Sequence, residues 1–262
     1  MALPEIDIIG TGNLATVLAP NLEQNGFVVN GVYGRNLHEA ERIANRLYQA
    51  SPTDNLDFSE SRSNVFILAL SDDAIEEVSR ELVLPENAVI AHTSGSMSLS
   101  VLGYTACNNI GVFYPLQSFS KNRPISFAEI PILIEGDNRY TRQVLTQIAK
   151  KLSKTVQEAS SKQRLMIHLA AIFASNFTNA MMANASDLLK SVKMDFDLLA
   201  PLVLETMEKS FELGPDEAQT GPASRGDLEV LDRHLEILAN LPDKQELYKL
   251  VSQHILDRKN AE

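Results

Sequence analysis

The sequence predicts an α/β protein in which a doubly wound, mainly parallel sheet is followed by an all-helical second domain. Up to Glu158, short β-rich runs alternate with helical stretches, which is typical of strand–helix–strand units with helices on both faces of a sheet. After Glu158 only helical patterns follow. We therefore expect one domain over residues 1–158 and a helical domain over residues 159–262.

The elements of the first domain are predicted from runs of β-branched and aromatic residues, which favour strands, and from the longer helical stretches between them. The predicted strands are Ile6–Ile9, Phe27–Tyr33, Val65–Leu70, Ala88–Ala91, Gly111–Tyr114, Ile130–Glu135 and Thr155–Gln157. The predicted helices are Leu14–Gln24, Leu37–Gln49, Asp73–Glu81 and Arg139–Leu152.

The second domain is predicted to contain helices only, at Ser161–Lys190, Asp195–Glu212, Asp227–Leu238 and Lys244–Arg258, with a Gly-, Pro- and Ser-rich loop over Gly214–Gly226. Within the first helix, Leu165–Ala183 is long and apolar enough to raise the question of a membrane span. It contains His168 and several other polar residues, and it lacks the aromatic and basic flanks of a spanning helix. We therefore expect no membrane contact and a helix buried on most sides, within one soluble chain or in a homodimer.

Charge and composition limit the class of partner. The net charge of −11 argues against nucleic acid, which binds clustered Lys and Arg, and against an anionic membrane surface. Cys107 is the only cysteine and the first residues run straight into a strand pattern, so we expect a cytoplasmic protein. The histidines are scattered, and no Cys/His pair has the spacing of metal ligands, so we predict no metal site.

A glycine-rich turn follows the first predicted strand. Its sequence, Gly10-Thr11-Gly12-Asn13-Leu14-Ala15, fits the G-x-G-x-x-G/A fingerprint of Rossmann dinucleotide-binding folds. Gly10 permits a tight turn and Gly12 permits close approach of the pyrophosphate, which the N–H groups of Asn13 and Leu14 would bind at the helix N-terminus. The alternative is a glycine turn without a ligand. The position of the motif, after a strand and at the start of a helix, favours dinucleotide binding.

The end of the second strand predicts which dinucleotide binds. An acidic residue there would bond the ribose hydroxyls of NAD, whereas this sequence has Tyr33-Gly34-Arg35-Asn36. Arg35 can pair with a 2′-phosphate through two hydrogen bonds, and Asn36 can add another. The sequence therefore predicts NADP, with a solvated surface arginine as the alternative role of Arg35.

Two later loops are expected to line the same crevice, because ligands bind at the carboxyl ends of the strands. Leu70 and Ser71 follow the third long strand, and Ser94 lies in the small polar segment His92-Thr93-Ser94-Gly95-Ser96 after the next one. Asp72 and Asp73 could either contact a ligand or cap the following helix.

Polar residues on the long apolar helix are candidates for catalysis. At about 100° per residue, His168, Ser175 and Asn179 share one face, with Asn176 at its edge. Buried polar groups need partners, so we interpret this face as one wall of the active site, with His168 as the proton donor. The alternatives are an internal hydrogen-bond network and a polar seam between subunits.

His92, Tyr114 and Arg225 are further candidates. His92 ends a strand at the cofactor edge, where it could donate a proton to the substrate or merely orient a loop. Tyr114, before Pro115, is a weaker candidate for the same role. Arg225 could clamp a substrate carboxylate or only stabilise its own loop. We expect these residues to line an active site in a cleft between the two domains.

Several segments together resemble one family: Gly10–Ala15, Gly34–Asn36, His92–Ser96, Tyr114–Gln117 and Thr220–Asp227. It comprises NADP oxidoreductases with a Rossmann-like domain and a helical second domain of unassigned function, and the resemblance covers essentially the whole chain. More distantly, the sequence is similar to hydroxyacid dehydrogenases whose helical domain is like that of 6-phosphogluconate dehydrogenase. That similarity implies a helical domain that often dimerises and closes the active site against the nicotinamide.

Two departures from the distant superfamily prevent its catalytic residues from being carried over. Many of those enzymes place a Lys, and an Asn one turn later, on the first helix of the second domain, where this sequence offers His168, Ile172 and Asn176. Prephenate-type enzymes carry a His before the proline of a late loop, where this sequence has Tyr114.

The motif and the resemblance together predict an NADP-dependent oxidoreductase that transfers a hydride between the nicotinamide and a small polar substrate. A keto acid-like or imino acid-like substrate is implied by the resemblance alone. Two alternatives stay open: hydride transfer between NADP and a deazaflavin-type cofactor, and a non-catalytic NADP-binding sensor.

Overall fold

The computed structural model of the protein describes residues 3–123 and 125–260. The chain forms two compact units, Met1–Ala174 and Ser175–Glu262. The first unit extends beyond Glu158, where we expected the domain boundary, and it includes a helix that we had assigned to the second domain.

The first unit is built on a sheet that, within the described residues, has eight strands in the order β3-β2-β1-β4-β5-β6-β7-β8. Neighbouring strands are parallel except β6 and β7, which confirms the mainly parallel α/β sheet. The strands are β1 (Glu5–Ile9), β2 (Val28–Tyr33), β3 (Ser51–Thr53), β4 (Val65–Leu68), β5 (Val89–His92), β6 (Asn109–Pro115), β7 (Ile132–Gly136) and β8 (Val156–Glu158).

Strand β3 is absent from the sequence-based prediction because it is short and contains Pro52. A proline cannot donate to a ladder, so it is tolerated only where the strand has one neighbour, and β3 lies at the edge of the sheet. The helix before it ends at Ala44 rather than at Gln49, which frees the chain to reach that edge.

Helices and apolar side chains cover both faces of the sheet. The helices are α1 (Asn13–Gln24), α2 (Leu37–Ala44), α3 (Asp72–Glu81), α4 (Arg139–Leu152) and α5 (Ser161–Ala171), with 3₁₀ turns at Leu99–Tyr104 and Phe127–Glu129. Successive strand residues point to opposite faces, so Ile8 packs with residues of α1, α2 and α4, whereas Ile9 packs with residues of α3. The carboxyl ends of the parallel strands are left free to form a site.

The second unit is helical throughout its regular structure. Its helices are α6 (Thr178–Ser191), α7 (Ala200–Leu213), α8 (Pro222–Arg225), α9 (Leu228–Ile237) and α10 (Pro242–Asn260), with 3₁₀ turns at Phe196–Leu199 and Leu238–Asn240. The short α8 lies in the stretch that we expected to be a loop. A π-helical turn over Ile172–Phe177 connects α5 to α6.

The long apolar helix contains a stretch whose side chains are not buried. Among the described residues, one helix, Ser161–Ser191, is long and apolar enough to cross a membrane by length and composition, and its most apolar window is 0% buried. Of the two alternatives that we gave, burial within one chain is not found for this window in the described residues. Burial in a homodimer stays a prediction.

Candidate active site

The glycine turn after β1 has the geometry that the sequence predicts. Gly10 has a φ of 128°, a region that side chains rarely allow, and its N–H donates to the carbonyl oxygen of Tyr33 at 2.9 Å. A Cβ atom at Gly10 would overlap the carbonyl oxygen of Ala69. The turn therefore requires glycine for both its backbone conformation and its packing against the end of β4.

Gly12 is required for a different reason. It is the N-cap of α1 in extended backbone, and no side chain caps this helix end. A Cβ atom there would meet only the carbonyl oxygen of Ala69, at 3.8 Å, so Gly12 borders open space rather than packed atoms. The first-turn N–H groups of Asn13 and Leu14 have no carbonyl partner within the helix, which suits them to an anionic pyrophosphate.

A cleft of about 400 Å³ follows this turn at the carboxyl edge of the sheet. It brings together the predicted cofactor residues Gly10, Thr11, Gly12, Arg35, Asn36, Leu70 and Ser71. Ser94 does not line it: its side chain is buried, and its hydroxyl accepts hydrogen bonds from the N–H groups of Ser96 and Met97 at 3.1 and 3.0 Å. Ser94 therefore stabilises its own loop, and its predicted contact with the cofactor stays a prediction.

Arg35 is exposed on the rim of the cleft and, within the described chain, forms no ion pair. Asn36 caps α2 by accepting from the N–H of His38 at 3.0 Å, so only its Nδ2 group can donate to a ligand. Sequence reasoning missed Glu77 and Glu81, which line the cleft from α3. They are distant from the fingerprint in sequence, and only the packing of α3 brings them there.

His92 ends β5 with its side chain fully buried. Its Nδ1 atom accepts from the N–H of Ser94 at 3.1 Å. Burial, assisted by the positive Arg164 guanidinium, lowers the pKa of His92 to about 4, so the ring is neutral near pH 7. A buried, neutral imidazole is poorly placed to give a proton to a substrate. Between our two hypotheses for His92, the structure supports the one in which it orients the loop.

Tyr114 and His168 meet at the same edge of the sheet. Tyr114 lies near the end of β6 and His168 in α5, and the Tyr114 hydroxyl is 3.0 Å from His168 Nδ1. Both side chains are partly buried, and burial raises the pKa of the Tyr114 hydroxyl above its ordinary value. We call these two side chains the proton pair, because either could hold or pass a proton.

Gly95 packs directly against the proton pair. A Cβ atom at this position would lie 2.7 Å from His168 Nδ1 and 2.8 Å from Tyr114 Cζ. The loop after β5 therefore approaches the pair as closely as backbone can. The neighbouring Ser96 hydroxyl bonds to the carboxylate of Asp72, at the start of α3, which ties the loop to the end of β4 as well.

The polar face predicted on the long helix is not formed as expected. The π-helical turn at Ile172–Phe177 interrupts the regular spacing of 100° per residue, so His168 does not share a continuous α-helical face with Ser175 and Asn179. Ser175, Asn176 and Asn179 are exposed in their own unit rather than buried, and so is Arg225. The catalytic roles of Asn176 and Arg225, and an active site between the domains, stay predictions.

Arg164 and Glu135 were missed by sequence reasoning, although they form an ion pair next to the proton pair. They are separated by 29 residues, and each resembles an ordinary surface charge in the sequence. An arginine four residues before a histidine on one apolar helix was the only available signal.

The sheet order, the glycine turn and the cleft at the carboxyl edge define the class of Rossmann-fold oxidoreductases. A Rossmann-like domain matches residues 2–112, and a domain of unknown function (DUF2520) matches residues 130–255. A crystal structure of a putative NADP oxidoreductase from Bacteroides fragilis is 41% identical over 97% of this chain and 98% of that one, with a TM-score of 0.89. The chain therefore belongs to the family of that Bacteroides fragilis oxidoreductase.

More distant solved structures share the fold. A reductive aminase from Aspergillus terreus, in complex with NADPH and ethyl levulinate, is 14% identical over 98% of this chain and 95% of that one, with a TM-score of 0.73. A 1-pyrroline-5-carboxylate reductase from Streptococcus pyogenes is 13% identical over 99% of both chains, with a TM-score of 0.65. No match to the sequence was found among curated proteins.

Proposed function

We propose that this protein is an NADP-dependent oxidoreductase that transfers a hydride between the nicotinamide and a small polar substrate with a ketone or imine group. The observation that carries the proposal is the convergence, at one edge of the sheet, of a dinucleotide cleft with Arg35 on its rim and of the Tyr114–His168 proton pair. The reductive aminase and the pyrroline-5-carboxylate reductase, which share the fold, support the substrate class.

The residues of the cleft divide the binding of the dinucleotide between them. The N–H groups at the start of α1 bind the pyrophosphate, and Gly12 lets the backbone approach it. The guanidinium of Arg35 pairs with the 2′-phosphate, and the Nδ2 group of Asn36 can add a hydrogen bond. When bound, the cofactor supplies the hydride chemistry.

The proton pair supplies or accepts the proton that accompanies the hydride. His168 is the proposed donor to the substrate oxygen or nitrogen, because an imidazole ring nitrogen can donate a proton to such an atom. The Tyr114 hydroxyl, 3.0 Å from Nδ1, orients the ring and can pass a proton along the same hydrogen bond. A sensor that only binds NADP would have no use for such a pair at the same edge of the sheet as the cleft, which favours catalysis.

Substitution of Arg35 tests the cofactor. We expect the wild type to bind NADPH at least tenfold more tightly than NADH, about 1.4 kcal/mol, and Arg35→Ala to remove most of this difference. Arg42→Ala is the matched control, since Arg42 is exposed on the nearby α2 but pairs with Glu39 and does not line the cleft. Equal wild-type dissociation constants for the two cofactors, measured by fluorescence titration, would refute the choice of NADP.

We also propose a cytoplasmic homodimer assembled through the helical unit. The apolar side chains of α7 support it, because Leu202, Leu204 and Phe211 are 64%, 62% and 91% exposed. Apolar exposure on this scale usually marks an interaction surface. A second copy is a better candidate than a membrane, since the helices of this unit also carry many charged residues.

Light scattering at micromolar concentration tests the dimer. We expect the mass of two chains for the wild type and of one chain for Phe211→Glu, because a buried charge opposes association. Tyr48→Glu is the control, since Tyr48 is 93% exposed in the first unit. A monomeric wild type, or a protein recovered only with membranes, would contradict the proposal.

A further inference from the structure

Arg164 is a buried charge that neither contacts the dinucleotide cleft nor belongs to the proton pair. It is 1% exposed and is the largest fully buried side chain among the described residues. A guanidinium is costly to bury unless an opposite charge and several hydrogen bonds compensate it. It lies four residues before His168 in α5, so a change in its contacts can change the position of His168.

The partners of Arg164 come from three segments of the first unit. Its Nη1 atom pairs with the carboxylate of Glu135 in β7, and its Nη2 atom donates to the carbonyl oxygen of Met97 and, at 3.3 Å, to the hydroxyl of Ser161. The same carboxylate accepts from the N–H of Ser161 at 2.9 Å and from its hydroxyl at 2.8 Å. We call Arg164, Glu135, Ser161 and Met97 the arginine cluster.

The cluster fixes both structures that hold the proton pair. Through Ser161 and Arg164 it anchors the first turn of α5 to β7, and His168 lies one helical turn further along. Through Met97 it anchors the loop whose Gly95 packs against the rings of Tyr114 and His168. A shift of either attachment would change the distance between the two rings.

We infer that Arg164 is a positioning residue, which holds the Tyr114 hydroxyl and His168 Nδ1 in hydrogen-bond contact from its buried site. Its consequence for turnover rests on the proposed function, whereas its effect on the hydrogen bond does not. No proton passes through the guanidinium itself, because arginine stays charged in proteins.

The charge of Arg164 also affects the pKa of Tyr114 in the proton pair. Burial raises the pKa of the Tyr114 hydroxyl, the guanidinium acts in the opposite direction, and the carboxylate of Asp72 adds to the effect of burial. Loss of the guanidinium should therefore raise the Tyr114 pKa further. This supports the inference, which stands on the hydrogen bonds and on the packing of Gly95.

The experiment measures the hydrogen bond in the full-length protein without substrate. In protein labelled with ¹⁵N-histidine, the shifts of the His168 ring nitrogens report how Nδ1 is bonded, and His168→Ala assigns them. We expect Arg164→Met to change these shifts. Arg164→Lys keeps the positive charge but lacks the planar guanidinium with its several donors, so its shifts should lie between those of Arg164→Met and the wild type. Arg142→Met should leave them unchanged, although Arg142 also bonds a β7 carbonyl, that of Gly136, at 2.9 Å.

A second variant covers the case in which Arg164→Met does not fold, because it leaves the partly buried Glu135 carboxylate without its guanidinium partner. Arg164→Met combined with Glu135→Gln removes both charges and should fold, with the same change of the His168 shifts. If either folded variant keeps the wild-type shifts, the inference is wrong.

In enzyme assays, kcat should fall about tenfold or more while the NADPH dissociation constant stays within about twofold. A wild type without activity would refute the proposed function and leave the shift measurement valid.

Discussion

Replacement of His168 by alanine is expected to lower turnover about a hundredfold or more, while the affinity for NADPH changes little. The imidazole lies at the carboxyl edge of the sheet, 3.0 Å from the Tyr114 hydroxyl, whereas the dinucleotide cleft is lined by other residues. Under the proposed function, proton transfer and cofactor binding would therefore depend on separate side chains. Steady-state kinetics with NADPH and a panel of small ketones, keto acids and imines would measure the loss of turnover. Direct titration with NADPH would measure the affinity for the cofactor.

Two further variants make this result specific. Tyr114→Phe keeps the ring and removes only the hydroxyl, so a smaller decrease in kcat, about tenfold, is expected. His38→Ala removes an exposed histidine of α2, outside the cleft, and should leave turnover unchanged. If His168→Ala retained full turnover, the proton would have to come from another group, and the proton pair would be structural.

A methyl group at Gly12 is expected to weaken NADPH binding about tenfold or more without destabilising the protein. The free protein has room for it, since the nearest atom, the carbonyl oxygen of Ala69, would be 3.8 Å from the new Cβ. The backbone of Gly12, with a φ of −72°, is also one that alanine adopts freely. The methyl group would occupy the space through which the pyrophosphate must approach the helix.

Gly10→Ala is the matched comparison for that variant. Here the added Cβ would overlap the carbonyl oxygen of Ala69, and the φ of 128° is strained for alanine. We therefore expect Gly10→Ala to lower the free energy of unfolding by about 1–3 kcal/mol or more, and with it the melting temperature. The affinity for NADPH should fall as well. Thermal unfolding and NADPH titration of both variants would separate the two glycines. An unchanged NADPH affinity in Gly12→Ala would place the pyrophosphate elsewhere.

The sequence predicted those parts of the molecule that local chemistry determines. The positive φ at Gly10, the alternation of strands and helices, and Arg35 after β2 follow from residues that are neighbours along the chain. The same reasoning placed Tyr114 and His168 among the catalytic candidates, but it could not show that they touch. That contact depends on the packing of α5 against the sheet.

The errors have physical causes of the same kind. The shared polar face of His168 and Ser175 assumed a regular α-helix, and a π-helical turn changes the spacing between them. For His92 the sequence left two roles open, because the burial that lowers its pKa depends on packing that the sequence does not display. Arg164 was missed because its significance depends on Glu135, which is distant in sequence. Tertiary contacts decided each case.

The reversed direction of β7 has a consequence for how the histidine reaches the site. Val112 of β6 is paired with Glu135 of β7. After α4, β8 runs parallel to β7 and ends at Glu158, opposite Ile134, so the chain is again near the level of Val112 when α5 begins at Ser161. The seven residue-to-residue steps from Ser161 to His168 then rise about 10 Å, which carries the imidazole back toward the carboxyl edge and to Tyr114. Because β7 is antiparallel to β6 and β8 is parallel to β7, the chain ends β8 away from the carboxyl edge of the parallel strands. A helix, rather than another strand loop, therefore brings His168 to Tyr114, and the number of residues between Ser161 and His168 sets how far along the sheet the ring lies.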